Sequence, residues 1–220
     1  MPRRLNLPDT ASVATPDGDG KLFAPSADRN AEFIVALVRE KAPKQGKALE
    51  LASGTGQHVV TLAHAIPDIR WQPTDIDRTR RASIDAYVRD AALANVAPAI
   101  ELDATDAGWS AHNTGYDLIL LVNLLHLIST AEAQTVIREA AKALAPGGVL
   151  IVYGPFMRGD ELTSAGDAAF HASLQAQDPE IGYKSDFDVL DWGVDAWLDV
   201  ADVVEMPANN LALCWRKAGA

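Results

Sequence analysis

The chain has 220 residues, of which 48% are apolar, and this length gives enough buried surface for one domain and barely enough for two. Its formal charge of −11 argues against a nucleic-acid partner, because proteins that bind the phosphate backbone need a cationic surface. A single cysteine, the absence of a secretory signal pattern and the lack of any apolar run near roughly 20 residues predict a cytoplasmic protein with no disulfide framework and no membrane span.

The first 21 residues are polar and rich in proline and glycine, which predicts a flexible N-terminal arm, and residues 22–220 are predicted to form a single domain. A first helix is predicted over 28–41, where apolar side chains recur at helical spacing. Strands then alternate with helices: the predicted strands are 47–52, 69–75, 98–104, 116–125 and 149–154, and the predicted helices are 57–66, 78–95 and 130–145. This alternation is typical of a doubly wound, mostly parallel α/β sheet.

The C-terminal part of the chain departs from this alternation. A long polar excursion covers 155–185 and contains a predicted helix at 164–177, and a further helix is predicted near 186–198. Strands predicted at 202–207 and 210–217 are separated by too few residues for a crossover, so they must form an antiparallel hairpin. The predicted sheet therefore has seven strands, with this hairpin at its C-terminal end.

The stretch LELASGTGQHVV, residues 49–60, places two glycines one residue apart between a strand and a helix. Three motifs are excluded by spacing: a P-loop would need Gly-Lys-Ser/Thr, a dinucleotide fingerprint would need glycine at Val59, and a hydrolase elbow would need glycines two residues either side of Ser53. Two interpretations are left. The turn holds a ligand against the free N–H groups of the helix, or it is a tight turn with no ligand.

Acidic side chains end three consecutive predicted strands, at Glu50, Asp75 and Asp103. Ligands of open α/β sheets bind at this carboxyl edge, and an acid at the tip of the second strand can accept both hydrogen bonds of a ribose diol. Asp77 is instead predicted to cap the following helix. An adenosine-bearing ligand without a pyrophosphate fits three acids better than a dinucleotide does.

The motifs ELASGTG, PTDID, LDATD, YDLILLVNLLH and LAPGGVLIVYGPF resemble, in order and spacing, those of class I S-adenosylmethionine-dependent methyltransferases. The segments LFAPSADRNAEFI, YGPFMRGDELTSAGDAAFHASLQAQDPEIGY and EMPANNLAL resemble a narrower set, the methyltransferase-like protein 26 group. The resemblance implies a Rossmann-like methyltransferase fold and S-adenosylmethionine as cofactor, with S-adenosylhomocysteine as product. One departure is Ala52, where many of these enzymes have glycine, and its methyl group is expected to be tolerated if the backbone angle there is ordinary.

The resemblance also implies cofactor contacts for individual residues. Three parts of the cofactor are involved besides the methionine moiety: the ribose, the adenine and the sulfonium. The implied contacts are Glu50, Ala52, Gly54 and Gly56 for the methionine moiety, Asp75 for the ribose, Ile76, Asp103 and Ala104 for the adenine, and Asn123 and Leu124 for the sulfonium end.

Candidates for catalysis and acceptor binding lie at the ends of the fourth and fifth predicted strands and in the first helix. His126 is a candidate general base or a loop-capping histidine, and Tyr153 is a candidate catalytic group or a residue of the rim. Arg29 and Asn30 would close over the site or bind an acidic group of the acceptor, unless they form a solvated first turn, and Phe156 would line the pocket. His58 and His64 are not on a common helix face, and no Cys/His cluster indicates a metal site.

The sequence therefore predicts an S-adenosylmethionine-dependent methyltransferase with a small-molecule acceptor. The alternative is a module that binds the cofactor without catalysis and acts through protein contacts. A short-chain dehydrogenase is excluded because none of the four tyrosines is followed by lysine four residues later. The N-terminal segment and the excursion over 155–185 are expected to cover the carboxyl edge of the sheet and to build the acceptor pocket.

Overall fold

The computed structural model describes residues 14–219. Most of the predicted flexible arm therefore lies outside the described residues, and its flexibility stays a prediction. The described part of the arm contributes to a small antiparallel pair formed by β1 (Thr15–Pro16) and β2 (Leu22–Phe23). The backbone N–H of Leu22 donates to the Ser83 hydroxyl, which ties this pair to the main body of the protein.

A seven-stranded sheet flanked by helices forms that body. Its strands are β3 (Gly46–Leu51), β4 (Ile69–Asp75), β5 (Ile100–Glu101), β6 (Tyr116–Val122), β7 (Leu144–Pro155), β8 (Leu198–Met206) and β9 (Asn210–Lys217). The helices are α1 (Pro25–Lys41), α2 (Gln57–Ala65), α3 (Arg78–Asp90), α4 (Thr130–Ala143), α5 (Ala165–Gln175) and α6 (Asp186–Asp195). The strand order is β5-β4-β3-β6-β7-β9-β8. The first five strands run parallel, and β9 is antiparallel to both of its neighbours, which confirms the predicted fold class and the C-terminal hairpin.

The central strand β6 shows why the sheet is covered on both faces. Leu118 and Leu120 pack into the apolar layer beneath α1, α2 and α3, whereas Ile119 and Leu121 pack into the layer beneath α4 and α6. All four side chains are fully buried. A strand with helices on both faces buries successive residues on opposite sides, so its sequence is a continuous apolar run rather than an alternating one.

Several element boundaries differ from the sequence prediction; for example, β7 begins at Leu144 rather than at residue 149. Two of the differences have identifiable reasons. Helix α1 begins at Pro25 rather than at residue 28, because proline suits the first helical turn, where its missing N–H has no partner to lose. Strand β5 has two residues rather than seven. It is an edge strand of the sheet. Just before it, the Pro98 carbonyl accepts a hydrogen bond from the Gln72 side chain instead of from the backbone of a neighbouring strand.

The carboxyl ends of the parallel strands face α1 and the chain that follows β7. Among residues 14–219, no helix is long and apolar enough to cross a bilayer. The elements that cover this edge, together with the turn after β3, define two adjoining cavities.

Candidate active site

A narrow cleft of about 110 Å³ lies over the turn between β3 and α2. Its walls include both ends of the turn, the loop after β6 and the start of α1. The predicted cofactor residues among them are Glu50, Ala52, Gly54, Asn123 and Leu124. Five of the ten predicted cofactor contacts are thus brought to one cleft.

Glu50 is the most unusual side chain of this cleft. It is 1% exposed, and its Oε2 atom has no hydrogen-bond partner within the described part of the chain. Burial is the main cause that raises the pKa of this carboxyl to about 8, and the nearby Asp75 carboxylate raises it further. An unpaired buried carboxyl that faces a cleft is suited to a cationic ligand group, such as an ammonium, which would supply the missing partner.

The backbone of the turn is left-handed at Ala52 (φ +50°), Gly54 (φ +59°) and Gly56 (φ +96°). A Cβ atom at Gly56 would come within 2.8 Å of the Ile84 Cα, so α2 and α3 approach each other only because this residue is glycine. The backbone angle at Ala52 is therefore not ordinary, so the condition under which its methyl group would be tolerated without strain is not met. An alanine in this conformation is strained, and the sharp exit from β3 imposes it.

Asp75 links the tip of β4 to the glycine turn. Its Oδ2 accepts a hydrogen bond from the Gly54 N–H at 3.0 Å, and its Oδ1 accepts one from the Asp77 N–H at 2.9 Å. Burial raises the pKa of this carboxyl, and the two backbone donors oppose that rise. Asp77 caps α3 as predicted, since its side chain accepts from the N–H groups of Thr79 and Arg80. Each carboxylate oxygen keeps a second lone pair, which could accept a hydrogen bond from a ribose hydroxyl. The ribose contact of Asp75 stays a prediction.

The predicted adenine contacts lie beyond the walls of the cleft. Ile76 is 41% exposed at the tip of β4. Asp103 accepts hydrogen bonds from the backbone and the hydroxyl of Thr105, and the Ala104 carbonyl accepts from the Trp109 indole N–H at 3.1 Å. These residues therefore border the same sheet edge on the side of β4 and β5, and their contacts to adenine stay predictions.

A larger cavity of about 780 Å³ adjoins the cleft. Five segments build it: the first turns of α1, the loop after β6, the end of β7, the excursion over 155–185 and the β8–β9 turn. The lining residues are Pro25, Ser26, Arg29, Asn30, Asn123, His126, Tyr153, Pro155, Phe170, Tyr183, Pro207, Ala208 and Asn210. The N-terminal segment and the excursion thus meet at the carboxyl edge, where the sequence analysis expects them.

The two predicted catalytic residues both face this cavity. His126 is 5% exposed, and burial together with the Lys184 ammonium lowers its pKa to about 3, so the imidazole is neutral at pH 7. Burial raises the pKa of the Tyr153 hydroxyl, an effect that the nearby Asn30 side chain partly offsets. Neither group is therefore ready-made as a strong base, and the catalytic role of each stays a prediction.

Sequence reasoning missed one contact of the site. The Asn30 side chain is buried, and its Oδ1 lies 2.7 Å from the His58 Nε2 on α2. Burial lowers the pKa of His58 to about 4, so a neutral imidazole donates to Asn30 and fixes its amide toward Tyr153. No local signal marks His58, because the contact depends on how α1 packs against α2.

One predicted acceptor contact, Phe156, lies outside the larger cavity. Phe156 is 2% exposed and packs in the core beneath α4 and α6, so it does not line the cavity and its neighbour Pro155 does. Phe156 directly follows β7 and continues the alternation of that strand, in which Tyr153 and Pro155 face the cavity and Val152 faces the same core as Phe156. Arg158 pairs with Glu205 at 3.0 Å on the surface. Among residues 14–219, no group of three or more His, Cys, Asp or Glu could hold a metal ion.

The fold is that of solved methyltransferases. Over 89% of the chain, it is similar to an O-methyltransferase family protein from Burkholderia thailandensis, with 21% identity and a TM-score of 0.76. A putative O-methyltransferase from Nostoc punctiforme matches 88% of the chain with 22% identity and a TM-score of 0.76, and PigF, solved with SAH, matches 87% with 21% identity and a TM-score of 0.72. The chain spans 58%, 57% and 56% of the lengths of these three proteins.

These likenesses define the class by fold alone: a Rossmann-like methyltransferase sheet with its C-terminal hairpin. The chain itself belongs to the family described as "Protein of unknown function (DUF938)", whose model matches residues 21–217. The match covers the sheet, α1 and every segment that lines the larger cavity.

Proposed function

We propose that the protein is an S-adenosylmethionine-dependent methyltransferase that acts on a small-molecule acceptor. The observation that carries the proposal is the joining of two cavities at the carboxyl edge of the sheet. Ser26 and Asn123 belong to the walls of both, so a ligand in the glycine-turn cleft and a ligand in the larger cavity would meet there. Methyl transfer needs two ligands in contact, with the donor carbon and the acceptor atom in line.

The residues of the cleft fit the cofactor on one feature above all, the unpaired Glu50 Oε2, which would accept from the α-ammonium of the methionine moiety. We propose that the turn from Ala52 to Gly56 holds the rest of that moiety, that Asp75 holds the ribose, that Ile76, Asp103 and Ala104 border the adenine, and that Asn123 and Leu124 border the sulfonium. The cofactor would supply an electrophilic methyl group on a sulfonium and leave as S-adenosylhomocysteine.

The chain's own part in the reaction would be positioning and shielding. Helix α1 and Phe170 and Tyr183 of the excursion would hold the acceptor and exclude water. Tyr153, oriented through the Asn30 amide that His58 fixes, and His126 are the groups available to accept a hydrogen bond from the acceptor or to take its proton. An acceptor atom with a low pKa of its own would need no strong base from the protein.

The finer assignments belong to the same proposal. We place the chain in the methyltransferase-like protein 26 group on the three motifs outside the cofactor region, with residues 22–220 as one domain and the cytoplasm as its location. The net charge of −11 supports a small-molecule acceptor rather than nucleic acid. The 780 Å³ cavity favours catalysis over a purely cofactor-binding module, because such a module needs no acceptor site.

The test is methyl transfer from S-adenosylmethionine with an isotopically labelled methyl group to the metabolites of a cell extract. We expect a labelled small molecule and equimolar S-adenosylhomocysteine, both dependent on the protein and lost in Glu50→Gln. Binding of S-adenosylhomocysteine without any labelled product would favour the cofactor-binding module. The absence of both binding and product would refute the proposal.

A further inference from the structure

We propose that the methyl acceptor is a small aromatic carboxylic acid, with its carboxylate paired to Arg29 and its ring packed against Phe170 and Tyr183. This inference rests on the proposed function, since it assigns the larger cavity to the acceptor. It adds the charge and the shape of the acceptor, which the fold alone leaves undefined.

Arg29 carries the charge argument. Among the described residues that line the larger cavity, it is the one permanently charged side chain, and no aspartate or glutamate is with it. The guanidinium is exposed toward the cavity, and within residues 14–219 it makes no hydrogen bond or ion pair. In a chain with 30 acidic residues and 19 basic ones, an arginine without an acidic partner at a cavity wall indicates that an anionic ligand completes it.

Two acidic side chains close to the cavity wall already have partners. Asp167 accepts hydrogen bonds from the side chains of Tyr183, Ser164, Thr163 and Asn209, so both of its carboxylate oxygens are engaged. Glu205 pairs with Arg158. Asp28 neighbours Arg29 in α1 but is outside the cavity walls and acts on Tyr87, on the side of β1 and β2. Glu32, one turn further along α1, is also outside the cavity walls. Within residues 14–219, none of these carboxylates forms an ion pair with Arg29.

A second cation reinforces the field without touching the ligand. Lys184 is buried, and its Nζ donates to the carbonyls of Ile128 and Gly182. Burial lowers its pKa to about 8, so it is still mostly charged at pH 7. This positive charge acts on His126, which lines the cavity. A positive charge so close to the cavity wall favours an anionic ligand.

The number of donors selects a carboxylate over a phosphate. One guanidinium presents two parallel N–H groups, which match the two oxygens of a singly charged carboxylate. A phosphate monoester carries nearly two charges and three acceptor oxygens, and the described residues that line this cavity offer no second cation in contact. A single negative charge is therefore the better match.

The aromatic residues that line the cavity indicate the shape of the ligand. The rings of His126, Phe170 and Tyr183 contact one another with centroid separations of 5.8, 6.1 and 6.2 Å. Pro155 and Pro207 add rigid apolar surface to the same cavity. A continuous wall of rings with a neutral imidazole favours a flat, apolar ligand body, and an aromatic ring fits it best.

The competing role for Arg29 is contact with the carboxylate of the methionine moiety. The cleft that holds Glu50 does not include Arg29 in its walls, and Arg29 shares the larger cavity with the excursion and the β8–β9 turn. The geometry therefore assigns it to the acceptor, and the experiment includes this alternative as an outcome.

Matched pairs of probes test the proposal on the full chain saturated with S-adenosylhomocysteine. Ligand-observed NMR would compare salicylate, 4-hydroxybenzoate and indole-3-carboxylate with their neutral amides. We expect the acids to bind roughly 10- to 100-fold more tightly than the amides, as a charge-assisted bidentate pair implies. Arg29→Gln should abolish this preference and Arg29→Lys should keep part of it. Arg39→Gln is the matched control, since Arg39 lies two to three turns further along α1 and donates to the Ala65 carbonyl. This variant loses the same charge and should keep the full preference for the acids.

Calorimetry with S-adenosylhomocysteine separates the possible failures. In the first case, the wild type and Arg29→Gln bind S-adenosylhomocysteine equally, and the wild type binds the acids no more tightly than the amides or binds neither set. The inference is then overturned and the proposed function stands. If Arg29→Gln loses S-adenosylhomocysteine affinity as strongly as it loses the acids, Arg29 belongs to the cofactor and the inference is overturned. If the wild type binds no S-adenosylhomocysteine, the proposed function fails and this inference fails with it.

Discussion

At the scale of single residues, Glu50 couples the site to the stability of the fold. Its buried carboxyl has a pKa of about 8, raised from an ordinary value of 4.5, so the folded protein keeps a proton that the unfolded chain releases. For a raised carboxyl pKa the sign is clear. The contribution of Glu50 to stability is fully present below pH 4.5 and is lost as the pH rises through the window from 4.5 to 8.

Glu50→Gln removes this titration while it keeps the shape of the side chain. We expect the stability of the ligand-free wild type, relative to this variant, to fall as the pH is raised from 5.5 to 8, because the unfolded chain releases the Glu50 proton while the folded protein keeps it. Thermal unfolding of both proteins across that range measures the difference, and other titrating groups cancel between them. A difference that does not change with pH would show that the Glu50 pKa is ordinary.

Asp75 has two roles at once, because it anchors the Gly54 N–H and is predicted to bind the ribose. Asp75→Ala should weaken S-adenosylhomocysteine binding by about 2–3 kcal/mol, or roughly 30- to 150-fold. Loss of the turn alone would also weaken binding, so calorimetry should include an analogue that lacks both ribose hydroxyls. We expect this analogue to bind the wild type weakly and to lose little more on Asp75→Ala. Equal losses for the two ligands would assign the effect to the turn and contradict the ribose contact.

At the scale of elements, the turn after β3 stores backbone strain at Ala52. Glycine has no penalty at φ +50°, so Ala52→Gly should stabilise the protein by roughly 0.5–1 kcal/mol after the added freedom of the unfolded chain is counted. Ala48→Gly is the matched control, since Ala48 is fully buried in the middle of β3 and its replacement should destabilise the protein. Denaturant unfolding measures both. Destabilisation by Ala52→Gly would mean that the methyl group makes a contact that outweighs the strain.

Elements with strong local signals were predictable from the sequence. Helix α4 begins where Ser129 and Glu132 form a capping box, and β6 is the one long apolar run between turn signals. The short length of β5, two residues, was not predictable from the sequence. An edge strand ends where its single neighbour stops pairing with it, and no residue type marks that point.

The site follows the same division. Glu50, Gly54 and Asn123 could be predicted because strand tips and glycine turns are written in the local sequence. Phe156 was assigned to the pocket although it faces the core, since a shift of one residue along a strand reverses its face. The contact between Asn30 in α1 and His58 in α2 joins residues 28 positions apart in the chain, and it depends on tertiary packing alone.

At the scale of the whole molecule, α1 closes the site and is only partly needed for the fold. Its apolar face, with Ile34 and Val38, packs on the sheet, whereas its first turns line the cavity. Deletion of residues 1–30 removes Arg29 and Asn30 and leaves most of that face in place. We expect the sheet to fold, as judged by circular dichroism, with weaker S-adenosylhomocysteine binding and no methyl transfer. Full turnover by the truncated protein would contradict the placement of the acceptor beneath α1.

The central claim, that the cleft at Glu50 holds the cofactor, is tested most directly by calorimetry of S-adenosylhomocysteine at pH 7 in two buffers with different ionisation enthalpies. The α-ammonium of the ligand is already charged at this pH, whereas free Glu50, with a pKa of about 8, is mostly protonated. The account predicts one ligand per chain and the release of nearly one proton, because the bound ammonium stabilises the Glu50 carboxylate. Glu50→Gln should release none and bind roughly 10- to 150-fold more weakly. No binding, or binding with no proton release and no loss in Glu50→Gln, would contradict it.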